Sequence, residues 1–145
     1  MSKKILVVEA KSSIRDDLGK VLRMQGYDVS LAADGREGVA KFNADLFDLL
    51  VLDVNLPDIN GWQVFAQITG INPFLPVIVF TGQESRRNLA AWGGVAALIE
   101  KPLNVPLLLE TVARFLADSP AVYVQELAGR GSDRRYDSPT SSGRS

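Results

Sequence analysis

The stretch DLLVLD (48–53) decides how this sequence folds. Leu49 to Leu52 are apolar without the alternation of a half-exposed strand, and a carboxylate, Asp53, closes the run. A short run that is apolar on both sides suits a strand covered on both faces, as in a parallel sheet between layers of helices. An acid at the end of such a strand is desolvated at a cost unless it has a partner.

Working outward, related runs recur at 3–8, 27–32, 76–80 and 96–100, which read as four further strands. Helical patterns lie between them. Ser12 or Ser13 is expected to cap a helix carrying Ile14, Leu18, Val21 and Leu22, ended near Gly26. Asp34 caps a second, whose apolar side is Val39, Ala40 and Phe42. A third begins near Asn60 with Trp62, Val64, Phe65 and Ile68. A short fourth runs from about Glu84 to Trp92 and stops at Gly93-Gly94. Asn104 caps a fifth, with Pro106 in its first turn. The order (βα)5 with right-handed crossovers predicts an α/β fold. It is a doubly wound five-stranded parallel sheet of order 2-1-3-4-5, with a functional crevice at the carboxyl ends of the strands.

Composition narrows the chemistry. The 145 residues suit one domain, expected over 1–118. From about Ser119 the chain is rich in Gly, Ser, Arg, Asp and Pro, and 119–145 reads as a disordered tail or linker. A net charge of −1 with mixed signs gives no footprint for direct nucleic-acid binding. No apolar run is long enough for a bilayer span, and no signal peptide is present, so a cytoplasmic, membrane-free protein is expected. There is no cysteine and no histidine, which removes thiolate and imidazole chemistry. Carboxylates, hydroxyls, amines and backbone must carry the function.

In this architecture Glu9, Asp53, Thr81 and Lys101 close the first, third, fourth and fifth strands and should converge. Two carboxylates can hold a hard divalent cation through oxygen. Asp53 can attack phosphorus to form an acyl phosphate. Thr81 and Lys101 can bind the phosphoryl oxygens over which charge spreads during transfer. Singly, each residue has an ordinary structural explanation, such as a turn or a helix-end charge. The combination carries the inference.

The segments KKILVVEAKSSIRDDLGKVL, DLLVLDVNLPDINGWQVF, PVIVFTGQ and ALIEKPLNVPLLLETV resemble the receiver domains of bacterial two-component response regulators, over residues 3–117. That resemblance, to CheY-like and flavodoxin-like folds, implies a set of roles. A phosphohistidine on a sensor histidine kinase or phosphotransfer protein would donate to Asp53. Mg2+ would be held by Glu9, Asp53 and the backbone carbonyl of Asn55. Thr81 and Lys101 would bind the phosphoryl group, and the resulting switch would act on an output protein or domain. Such a chain is a signalling domain rather than an enzyme, limited to its own phosphorylation from a donor and its own dephosphorylation.

Two positions depart from the family. It normally has two adjacent acids after the first strand; here they are Glu9 and Ala10, which predicts weakened Mg2+ binding. It often has Tyr or Phe three residues before the lysine; here Leu98 stands there, which weakens the usual relay from Thr81. The last helix, VPLLLETVARFL, sets Leu108, Val112, Phe115 and Leu116 toward the sheet and leaves Leu107, Thr111 and Arg114 on another stripe, with Leu109 off the core face. With Trp92, these suggest an interface, including a possible homodimer, on the fourth helix, fifth strand and fifth helix. Two other readings compete: a phosphorylation-independent docking module of the same fold, and an FMN-binding electron carrier. Glu9 at the entrance of EAKSSIRDD would repel the flavin phosphate and argues against the carrier.

Overall fold

A computed structural model describes residues 2–81 and 95–117. Its strands are β1 (Lys4–Val8), β2 (Asp28–Ala32), β3 (Leu49–Asp53), β4 (Val77–Thr81) and β5 (Ala97–Glu100). Its helices are α1 (Ser12–Met24), α2 (Gly35–Ala44), α3 (Gly61–Ile71) and α4 (Val105–Phe115). The helix expected over 84–92, with Trp92, and the expected tail lie outside the described residues.

The strands form one parallel sheet of order β2-β1-β3-β4-β5, as the sequence predicts. Side chains alternate across it. Leu6, Val8, Leu50, Leu52, Val77 and Val79 face one core with Phe42 of α2 and Val64, Phe65 and Ile68 of α3. Ile5, Val7, Leu49, Val51, Ile78 and Phe80 face another with Leu18 and Leu22 of α1 and Leu108 and Val112 of α4. The unbroken apolar run in β3 is thus two half-cores read along one strand.

Most helix boundaries follow their local chemistry. Asp34 accepts from Glu37 N–H at the start of α2, and Asn104 accepts from Leu107 N–H at the start of α4. Asn60 and Gln63 form a reciprocal capping box on α3. Gly26 follows α1 at φ 95°, a conformation that favours glycine.

Four expectations need correction. Neither Ser12 nor Ser13 caps α1: Lys11 occupies that place without a side-chain cap, because both serines already belong to the helix. Ala40 is exposed, since Gly38 is the residue of α2 that meets β1, against Val8. In α3, Trp62 is 42% exposed and leans on Phe65 with ring centroids 5.5 Å apart. Thr111, expected on an outward stripe, is only 6% exposed; its hydroxyl donates to the Leu107 carbonyl, which satisfies it in a buried position. Leu109 also packs partly against the core.

Candidate functional site

The register of the sheet assembles the site. Val8 pairs with Leu52, so Glu9 emerges beside Asp53. Asp53 pairs with Phe80, which puts Thr81 one residue further on, and Thr81 pairs with Glu100, just before Lys101. Backbone bonds continue past the strand ends: Glu9 N–H donates to the Ala32 carbonyl at 3.0 Å, and Lys101 N–H to the Thr81 carbonyl at 2.9 Å.

Glu9, Asp53 and Thr81 are 1%, 2% and 0% exposed. Asp53 Oδ1 accepts from Lys101 Nζ at 3.0 Å and from Asn55 N–H at 3.0 Å. A buried carboxylate paired with an ammonium and a backbone donor is compensated as its desolvation requires. Glu9 is compensated less well. Its Oε2 accepts from Lys11 N–H at 3.0 Å, but its Oε1 is buried without a donor. Burial pushes the Glu9 carboxyl up to about 6; the neighbouring Asp53 carboxyl adds to this, while Lys11 N–H and Lys101 oppose it. One proton or one cation would relieve the crowded pair.

An orphaned, buried carboxylate oxygen beside a second carboxylate fits a hard, oxygen-seeking cation such as Mg2+. Ala10 brings no carboxylate, and no cluster of three or more His, Cys, Asp or Glu occurs among the described residues. The carboxylates that could act as donors there are those of Glu9 and Asp53.

The loop after β3 is held from both ends. Gly61 opens α3 so close to β3 that an added Cβ would lie 2.6 Å from Val54 Cα and 3.0 Å from the Asp53 carbonyl oxygen. Between them, Asp58 accepts from Gly35 N–H and Arg36 N–H, both at 2.9 Å. Partial burial raises the Asp58 carboxyl, but the N–H groups of Arg36, Gly35, Ile59 and Asp58 outweigh this and bring it down to about 2. On the other side of the crevice, Arg15 Nη1 donates to the carbonyls of Glu9 at 2.8 Å and Ala10 at 3.1 Å. Neither residue stands out in the sequence as part of this region. Asp58 looks like a plain turn residue, and Arg15 like a solvated helix charge.

Leu98 pairs with Val79 in β5 and packs against the core facing α2 and α3. Leu107 and Arg114 are exposed on α4, with the Arg114 guanidinium 5.9 Å from the Phe115 ring centroid.

The family model for the response regulator receiver domain matches residues 5–113. The chain belongs to the response regulator receiver family. Response regulator MprA of Mycobacterium tuberculosis is 34% identical over 143 residues, 97% of this chain and 62% of that protein. Regulatory protein VanRc of Enterococcus gallinarum is 36% identical over 116 residues, 79% of this chain and 48% of that one. The receiver described here thus spans less than two thirds of the length of these relatives. A CheY-like receiver from Methanospirillum hungatei superimposes with a TM-score of 0.74 at 32% identity, covering 87% of this chain and 99% of that one. TrrA of Thermotoga maritima, solved with Mg2+ and BeF, gives 0.73 at 31% identity over 79% of this chain and 99% of that one. The protein is therefore a receiver domain of a two-component system, a signalling domain. No helix among the described residues is long and apolar enough to cross a membrane.

Proposed function

We propose that this receiver accepts a phosphoryl group on Asp53 from a phosphohistidine of a sensor kinase or phosphotransfer protein, and that the modified state changes its binding to an output protein or domain. The observation that carries this reading is the contact of Lys101 Nζ with Asp53 Oδ1 beside the orphaned Glu9 oxygen. In the transfer, the P–N bond of the donor breaks as a bond from Asp53 oxygen to phosphorus forms, and the imidazole leaves with a proton. Lys101 and Asn55 N–H both engage Oδ1, which favours Oδ2 as the attacking oxygen. Lys101 then turns to the incoming phosphoryl oxygens, with Thr81 as the second group to bind them. Glu9, Asp53 and the Asn55 carbonyl would hold Mg2+, which when bound neutralises charge on the phosphoryl oxygens. With Ala10 in place of a second acid, one protein ligand fewer would be available and the affinity would be reduced. A cytoplasmic setting fits this chemistry, and Leu107 and Arg114 of α4 are surface candidates for partner or homodimer contacts.

A second reading, a docking module independent of phosphorylation, is favoured by Ala10 and by Leu98, which lacks a hydroxyl or large ring. Intact mass separates the two. After incubation with acetyl phosphate or phosphoramidate, a phosphoryl adduct is expected on the wild type in Mg2+ and absent from Asp53→Asn. No adduct at saturating donor and metal establishes the docking module instead.

A further inference from the structure

The carboxylate of Asp58 does not face the crevice that holds Asp53; it is bound to another element. Both oxygens are committed, Oδ1 to Gly35 N–H and Oδ2 to Arg36 N–H, in the first turn of α2. The Arg36 side chain adds a longer contact, Nε to Oδ2 at 3.8 Å. The neighbouring packing admits no slack. A Cβ on Gly35 would lie 2.4 Å from Ile59 Cγ1 and 2.8 Å from Val64 Cγ2, so the loop and α3 already touch the α2 backbone. At its other end the loop is fixed through Gly61 N–H to the Val54 carbonyl at 3.1 Å. Asn55 lies between the two anchors, with its N–H on Asp53 Oδ1. Its carbonyl belongs to the same short backbone span. A loop tied at both ends has few orientations left for that carbonyl; a loop tied at one end has many.

We propose that Asp58 is a positioning residue for the Asp53 site: by anchoring the loop of residues 54–60 to the first turn of α2, it presets the Asn55 carbonyl for the cation. The inference rests on the reading of Asp53 as a cation-assisted phosphoacceptor. Asp58 touches neither cation nor phosphoryl group, so it acts on cation affinity and not on the transfer itself. Residues that orient metal ligands from outside the coordination shell change affinity by about 10–100-fold when removed. Asp58 acts on a backbone ligand, which is also held by Gly61, so the lower end of that range applies.

The test is a direct Mg2+ titration without phosphoryl donor, read by calorimetry, alongside the rate of phosphorylation by phosphoramidate as a function of Mg2+ concentration, followed by intact mass. Asp58→Ala is expected to raise the half-saturating Mg2+ concentration about tenfold while the rate at saturating Mg2+ stays within about twofold of wild type. Asp34→Ala is the control, because it removes the N-cap of the same helix and leaves the Asp58 tie in place. It should lower the melting temperature without moving the Mg2+ midpoint. Asp58→Asn, which keeps one acceptor oxygen, should fall between Asp58→Ala and wild type, and it serves if Asp58→Ala does not fold. Equal midpoints in all variants, or equal shifts in the Asp34 and Asp58 variants, overturn the positioning role. A wild type that takes up no phosphoryl group at any Mg2+ concentration overturns the underlying reading, and the positioning role falls with it.

Discussion

Glu9 is the residue at which function and stability oppose each other. Its carboxyl is raised from 4.5 to about 6 by burial and by Asp53, so between about pH 4.5 and 6 the metal-free folded state holds a proton that the unfolded chain releases. The sign follows from linkage: the protein is most stable with respect to this group below about pH 4.5, and stability is lost as pH rises through about 6. A shift of this size corresponds to about 2 kcal/mol at most. Urea unfolding in EDTA should therefore show wild type losing stability relative to Glu9→Gln between pH 5 and pH 7.5. Adding Mg2+ should restore wild type and leave Glu9→Gln largely unchanged. A wild-type-minus-variant difference that is flat with pH would show that Glu9 is already ionised at the lower pH.

Among the elements, the helix starts differ in what holds them. Asn60 and Gln63 cap α3 reciprocally, so Asn60→Ala should cost about 1 kcal/mol in chemical denaturation. Ser12→Ala should change stability by no more than about 0.5 kcal/mol, because no side-chain cap exists at α1 to be lost. The approach of α2 to the sheet is a tighter constraint. A Cβ at Gly38 would lie 2.7 Å from Val8 Cγ2, so Gly38→Ala should destabilise by about 1–3 kcal/mol despite the better helix propensity of alanine. Composition and periodicity reveal that α2 is a helix with Phe42 on its inner side; only its packing reveals that Gly35 and Gly38 lie there too.

For the whole molecule, both half-cores are built from residues between Ile5 and Leu116. Removing residues 119–145 should leave a single cooperative unfolding transition, with the melting temperature within about 2 °C of the full chain. A broad or strongly lowered transition would place residues after Ala117 in the folded unit. The sheet order also fixes where the chemistry gathers. Strands β1, β3 and β4 are central and adjacent, and their carboxyl ends present Glu9, Asp53 and Thr81 in succession.

The sequence by itself determined the fold class and which strand-end residues gather, Glu9, Asp53, Thr81 and Lys101. Continuous apolar runs ending in Glu9, Asp53 and Thr81 read as buried parallel strands, because period-two burial on two faces leaves no polar positions. Once the strands are parallel and doubly wound, their ends must converge, so the meeting of these residues was legible from position alone. Tertiary structure alone decided the rest. That Thr111 turns inward, that Trp62 stays at the surface, and that Asp58 ties its loop to Gly35 and Arg36 all depend on partners far along the chain. A local pattern records which side of an element is apolar. It does not record which backbone N–H, 23 residues away, will stand within reach of a carboxylate when the layers close.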